Sequence, residues 1–190
     1  IGTGIAGLSY AVRLAELSPE SKIIMISKRD LLESNTKYAQ GGTAVVSDFI
    51  KDSYEDHVLD TMSASAHTSN PKVVDFVVRE GTKRVQELIA WGAQFDRNGT
   101  VLHLGKEGGH SAERIVHHKD MSGLHIQQAL IAKARSLENI TFFENHSLVD
   151  LITDHHVKDS SYERCYGAYV ISKVDEPAVC ENVVVCGINR

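Results

Sequence analysis

The sequence predicts an α/β fold organised around a βαβ dinucleotide-binding unit, and three observations carry that prediction. The chain opens on Ile1-Gly-Thr-Gly-Ile-Ala-Gly7, a GxGxxG turn. An amphipathic segment follows at once, with apolar residues at 5, 8, 11, 12, 14, 15 and 17 in helical spacing. Lys22-Ile-Ile-Met-Ile-Ser27 then reads as a buried parallel strand. Glycine turn, helix and strand, in that order, form the later part of such a unit. A lone GxGxxG is a weak signal, and this context strengthens it. The unit's first strand is expected before Ile1, so the sequence reads as a partial chain.

Composition bounds the rest. At 190 residues, 42% hydrophobic and 24% charged, the chain is of ordinary globular make-up. A formal net charge of -5 leaves no footprint for nucleic acid or an anionic membrane surface. No apolar run approaches the ~20 residues that cross a bilayer. Cys165, Cys180 and Cys186 show no CxxC spacing and read as reduced thiols, which favours a cytoplasmic setting.

Beyond Ser27 the elements follow from local signals. Thr43-Ala-Val-Val46 reads as a short strand. Ser53 to Ala66 reads as a helix capped by Ser53, with Asp56 three residues on. Pro71 opens a second helical region with Val74, Val77, Val78, Val85, Leu88 and Ile89 on one face and Gly81 as a break. Residues 94–119 read as loop-rich, and Ser122 as the cap of a helix running to about Ser136. Strands are expected at Ile140–Phe143, Leu148–Ile152, Tyr166–Val174 and Ala178–Cys186, with a polar surface loop from Asp154 to Glu163.

In the opening motif Gly2, Gly4 and Gly7 have separate tasks: a tight turn, close backbone approach to a pyrophosphate, and close helix packing. The helix that starts near Ile5 offers amide groups and its dipole to an anion. An acidic residue usually ends the second strand and takes the ribose hydroxyls, but here that place reads Ser27-Lys28. That departure argues against a plain NAD site.

The stretch Ser34-Asn-Thr-Lys-Tyr-Ala-Gln-Gly-Gly42, taken with Gly2-x-Gly4-Ile-Ala-Gly7, resembles the succinate dehydrogenase/fumarate reductase flavoprotein superfamily. The resemblance implies a Rossmann-like, FAD-binding domain of the glutathione-reductase-like, three-layer kind, with added helices and a β-meander. It implies FAD contacts from Gly2, Thr3, Gly4, Ile5, Ala6 and Gly7, from Lys28, and from Asn35, Thr36, Lys37, Tyr38, Ala39, Gln40, Gly41 and Gly42. It places Leu148 and Val149 on the adenine side, where a pair of core strand residues is an equally good reading. Respiratory members carry a flavin-linking His where this chain has Asn35, and an amide cannot form that bond, so the FAD is expected to be noncovalent.

Glu107-Gly-Gly-His-Ser111, followed by Arg114-Ile-Val-His117 and Asp120-x-x-Gly123, resembles the L-aspartate oxidase branch. Related dicarboxylate oxidoreductases have an aromatic residue where Glu107 stands. L-Aspartate differs from succinate by an ammonium group, whose natural partner is a carboxylate. Glu107 is therefore a candidate substrate contact, with a solvated loop acid as the alternative, and His110 is a second candidate. The resemblance implies L-aspartate as substrate, oxygen or fumarate as acceptor, and coupling to quinolinate synthase. It places the catalytic residues beyond Arg190. Where relatives carry Ala-Thr-Gly-Gly after the strand at 183–186, Cys186-Gly187 follows here.

Of the ten histidines, His103, His110 and His117 recur every seven residues without HxxxH or Cys/His pairing, so no metal is expected. His117-His118 and His155-His156 read as surface or hydrogen-bonding residues. The expected organisation is a dinucleotide-binding part over 1–46, a helical insertion over 47–139 with a substrate-side loop at 103–120, and strands returning to the FAD domain over 140–190.

Overall fold

The computed structural model describes residues 1–154 and 165–172. Within them the chain divides into two compact units, one formed by 1–34 with the segment from 134 onward, the other by 35–133. The expected strand at Ala178–Cys186, the end of the strand at Tyr166–Val174, most of the loop after Asp154, and His155-His156, Cys180, Cys186 and Gly187 lie outside the described residues.

In the first unit, helix α1 (Ile5–Leu17) buries Leu8, Ala11, Val12 and Ala15, the stripe its spacing predicts. Strand β1 (Ile23–Ile26) lies parallel to β7 (Ile140–Phe143), in register from Ile23 against Ile140 to Ile26 against Phe143. Parallel strands need a long connection, and here residues 27–139 supply it. Asn139 ties α1 to this sheet. Its side-chain amide reaches the carbonyls of Ala15 in the last turn of α1, and of Ser18 and Ser21 in the turn that follows, at 3.3, 3.4 and 3.1 Å. β8 (His146–Thr153) and β9 (Cys165–Ser172) form an antiparallel pair, and Ala168 and Val170 join Ile26 and Phe143 in one apolar cluster. Asp154 is 4% exposed and accepts a hydrogen bond from the Tyr166 hydroxyl at 2.5 Å, so this first residue of the expected surface loop is buried.

The second unit opens with two helices after its first short strand. α2 (Tyr54–Ala64) is capped as expected: Ser53 Oγ accepts the Asp56 amide at 3.0 Å and donates to the Asp56 carboxylate at 2.7 Å. α3 (Pro71–Ala90) has Pro at its first position and Asn70 as cap. Two expectations are corrected here. Gly81 does not break α3, because it sits against Val45 and the helix runs through. Val77 is 57% exposed, and the buried stripe is Val74, Val78, Val85 and Leu88.

Residues 94–119 are not all loop. β2 (Thr43–Ala44), β6 (Ile115–Val116) and β5 (Leu104–Gly105) make a three-stranded antiparallel sheet in that order, and β3 (Arg97–Asn98) pairs with β4 (Val101–Leu102). Strands of two residues carry too little periodicity to be read from sequence. α4 (Ser122–Arg135) matches its expected length, but Ser122 is its first residue rather than its cap. The Ser122 hydroxyl instead accepts the His118 amide at 2.9 Å.

Candidate functional site

The glycine turn is built as its motif requires. Gly2 adopts φ +87°, a conformation that L side chains rarely take, and its amide donates to the Ile26 carbonyl at 2.8 Å. That bond fastens the turn to the end of β1. A Cβ on Gly7 would collide with the Gly2 carbonyl oxygen, so α1 can close over the turn only with glycine there. Gly4 is the N-cap of α1, with no side-chain capping bond and no acidic residue in the first turn. A glycine-lined helix N-terminus left without a side-chain cap fits a dinucleotide pyrophosphate.

The position that usually carries the ribose-binding acid is occupied inwardly. Ser27 is 3% exposed, its hydroxyl lies 3.2 Å from that of the buried Thr3, and it also donates to the Asp30 carbonyl at 3.3 Å. Thr3 is therefore a packing residue of the turn through its side chain, while Lys28 is exposed. On β8, Leu148 pairs with Val170 and Asp150 with Tyr169, which leaves Val149 as the extra residue of a β-bulge. Both Leu148 and Val149 are exposed, at 40% and 58%. The reading of these two as buried core residues is thereby corrected.

In the second unit, Asn35–Tyr38 forms one turn of 3-10 helix, closed by the Ala39 amide on the Thr36 carbonyl at 3.1 Å. The Asn35, Tyr38, Ala39 and Gln40 side chains are exposed. This turn rests on the start of α4. The Gly123 amide donates to the Ala39 carbonyl at 3.0 Å, and a Cβ on Gly123 would collide with the Thr36 carbonyl oxygen. The two adjacent glycines differ. Gly42 lies against β6, where a Cβ would collide with Ile115 and the Val116 carbonyl, whereas Gly41 has open space beside it. Gly42 thus serves the β2–β6 contact, and Gly41 is the one that leaves backbone uncovered.

The loop after β5 is organised by a residue the sequence motif contains but does not explain. Arg114 is fully buried and forms a bidentate pair with Asp52, Nε to Oδ2 at 2.9 Å and Nη2 to Oδ1 at 2.7 Å. Its Nη1 donates to Asp60 at 2.6 Å. Asp60 also accepts both the amide and the hydroxyl of Ser111, at 2.6 and 2.8 Å. Burial would push the Asp60 carboxyl up, but the Ser111 donors and the Arg114 guanidinium outweigh it and hold the group below the ordinary carboxylate range. Burial likewise opposes the Arg114 charge, and its two carboxylate partners more than restore it.

Glu107 stands at the top of this arrangement, exposed, its carboxylate bonded to no described residue. The loop turns through Gly109 at φ +90°. The His110 amide donates to the Glu107 carbonyl at 3.2 Å. Beneath the loop, the His110 ring meets His57 edge to face at 6.3 Å, and the Nδ1 atoms of both rings are buried without a hydrogen-bond partner among the described residues. Burial, and then the Arg114 charge, lower the His57 pKa and keep the ring neutral.

Three further histidines of this unit gather around one acid. His117 Nδ1 is 3.2 Å and His118 Nδ1 3.4 Å from the Asp96 carboxylate, and His117 Nε2 meets His103 Nδ1 at 3.1 Å. Asp96 is held low by the Lys119 amide against the effect of burial, with help from the two imidazoles. Among the described residues no group of three His, Cys, Asp or Glu is arranged to hold a metal ion. Arg114, Asp52, Asp60 and His57 were not legible as a site. They stand 54 to 62 positions apart from Arg114 in sequence or belong to ordinary helical surface patterns.

A glycine turn without a side-chain cap, leading through α1 into a parallel strand pair, fits a nucleotide-binding module of the flavoprotein kind. The chain matches the FAD binding domain over residues 1–185 and belongs to that family. Within it, the chain is 41% identical to the chloroplastic L-aspartate oxidase of Oryza sativa subsp. japonica, over 94% of this chain and 27% of the relative. It is 41% identical to the L-aspartate oxidase of Yersinia pestis, over 90% of this chain and 32% of the relative. Among solved structures, a quinol fumarate reductase of E. coli superposes with a TM-score of 0.81 at 29% identity, covering 90% of this chain and 28% of that one. The chain thus spans between a quarter and a third of the length of these relatives. The resemblance read from the Asn35–Gly42 and Glu107–Ser111 motifs is confirmed, and FAD is the cofactor of the family.

Proposed function

We propose that this chain is the flavin-binding part of an enzyme that oxidises L-aspartate to iminoaspartate, with oxygen or fumarate as electron acceptor. The setting is the cytoplasmic first step toward quinolinate and NAD, coupled to quinolinate synthase; the plant relatives are named chloroplastic. The observation that carries this reading is Glu107: an exposed carboxylate without a partner among the described residues, on a loop pinned from below. An acid used only to hold a loop would be bonded within it. An acid held out on a fixed loop is suited to a cationic ligand, and the amino group is what separates aspartate from succinate.

Bound FAD supplies the hydride acceptor. The chain's own residues bind and orient. Gly2, Thr3, Gly4, Ile5, Ala6 and Gly7 present backbone to the pyrophosphate at the positive end of α1. Lys28 is available to the nucleotide's negative charge, and the bulge at Val149 offers backbone on the adenine side. Residues 35–42 present backbone to the flavin ring, with Gly41 uncovered. Asn35 makes the attachment noncovalent. Glu107 pairs with the substrate ammonium, and His110 lies on the same loop.

In the full-length flavoenzyme, Glu107→Gln is expected to lower kcat/KM for L-aspartate about ten- to a hundredfold, the scale of one charge-assisted contact. Use of fumarate, which lacks an ammonium, should change little. Equal losses with both substrates would show that Glu107 does not read the amino group. A second reading, a soluble fumarate reductase or succinate dehydrogenase, is favoured by the likeness to the quinol fumarate reductase structure. Turnover of succinate with none of aspartate would decide for it, and a yellow protein that turns over neither would mark a flavin-binding module.

A further inference from the structure

We propose that Asp60, on α2, is a positioning residue for the amino-group contact: with Arg114 it forms a brace that fixes where Glu107 stands. The proposal rests on the reading of Glu107 as the partner of the substrate ammonium. The geometry confines the loop at both ends. On one side, Gly105 pairs with Ile115 across β5 and β6, and its carbonyl accepts the Arg114 amide at 3.0 Å. On the other, the Ser111 amide and hydroxyl both reach Asp60 Oδ2. Lys106 Nζ closes the span by donating to the Ser111 carbonyl at 2.9 Å. Five residues between these anchors, with glycines at 108 and 109, would otherwise sample many conformations.

The brace is asymmetric in a way that assigns roles. Asp52 takes Arg114 through two parallel bonds and touches no residue of the loop, so it anchors the guanidinium. Asp60 is bonded simultaneously to Arg114 and to Ser111, so it is the group that transmits the anchor to the loop. Arg114 Nη2 adds a contact to Ser111 Oγ at 3.2 Å. A displacement of about 1 Å at a charge-pairing group is enough to cost one to two orders of magnitude in rate. The effect must be selective, because only a substrate with an ammonium uses Glu107.

The test uses the full-length flavoenzyme. Asp60→Asn keeps the size of the side chain, and Ser111→Ala removes the hydroxyl bond while leaving the Arg114–Asp60 pair, so one of them reports even if the other folds poorly. Expected are a KM for L-aspartate raised about tenfold, an unchanged FAD content, unchanged use of fumarate, and faster amide exchange across residues 106–111. Added to Glu107→Gln, either variant should cause no further loss with aspartate, since the residue it positions is already gone. Additive losses, or equal impairment with fumarate together with lost FAD, would show a purely structural role and overturn the proposal. Unchanged amide exchange overturns the brace alone. Faster exchange with a Glu107→Gln enzyme that is unselective overturns the reading of Glu107, and the proposal falls with it.

Discussion

Glycines in this chain are chosen by different atoms, and their neighbours distinguish them. Gly7 and Gly123 each face a backbone carbonyl that a methyl group would strike, Gly2 in the first case and Thr36 in the second. Backbone cannot rotate away as a side chain can, so both positions exclude alanine. Gly123→Ala should destabilise the protein by about 1–3 kcal/mol and release FAD, because the Asn35–Gly42 turn loses its seat on α4. Thermal melting and flavin content of the purified variant check this. His57 governs a second residue-scale property. Burial lowers its pKa below about 6.5, the value expected in the unfolded chain. The unfolded state therefore binds the extra proton first, and the contribution of neutral His57 is complete above pH 6.5 and lost as pH falls toward its folded value. Melting temperature should decline across that window, and less steeply in His57→Gln. An identical slope in the variant would assign the decline to other groups.

At the scale of elements, α3 shows how a break residue becomes a contact residue. Its buried positions, 74, 78, 85 and 88, line one stripe, and Gly81 falls in the same stripe opposite Val45. Thr82 adds a hydrogen bond to the Val46 carbonyl at 2.7 Å. A Cβ at Gly81 would meet Val45 Cγ1 at 3.4 Å, which is ordinary van der Waals contact. Gly81→Ala should therefore gain helix propensity without a clash, raising stability by roughly 0.5–1 kcal/mol. Chemical denaturation measures it, and a loss of stability would mean that Val45 cannot yield. The short strands β2, β5 and β6 have the opposite character. Each is too brief to be stable alone and exists because its neighbours supply the hydrogen-bond partners.

At the scale of the molecule, the chain divides where the motifs do not. The Asn35–Gly42 stretch falls in the compact unit formed by 35–133. Its bonds run to Gly123 and its last glycine packs on β6, both within that unit. The flavin is predicted to be retained without a covalent bond. Acid precipitation should leave all of the flavin in the supernatant, and flavin remaining with the pellet would require a linking residue other than Asn35. Among the described residues no helix is long and apolar enough to cross a membrane.

By itself the sequence determined the features that rest on local rules: the glycine turn, the Ser53 cap, Pro71 at the start of α3, the apolar stripe of α1, and the strands at 23–26 and 140–143. Backbone sterics and periodic burial act over a few residues, so they are written in adjacent letters. Family motifs extended this to the flavin, because a cofactor constrains contiguous stretches of chain, and marked Glu107 as a candidate. Only the tertiary structure decided what Arg114 does, why Ser27 stands where an acid is usual, that Gly42 packs while Gly41 stays open, and that Val149 leaves the ladder. Each of these depends on a partner brought near by folding: Asp52 and Asp60 for Arg114, Thr3 for Ser27, Ile115 for Gly42, and β9 for Val149. A side chain's burial and its charge partners are set by what the fold places against it, and no spacing within one segment encodes that neighbour.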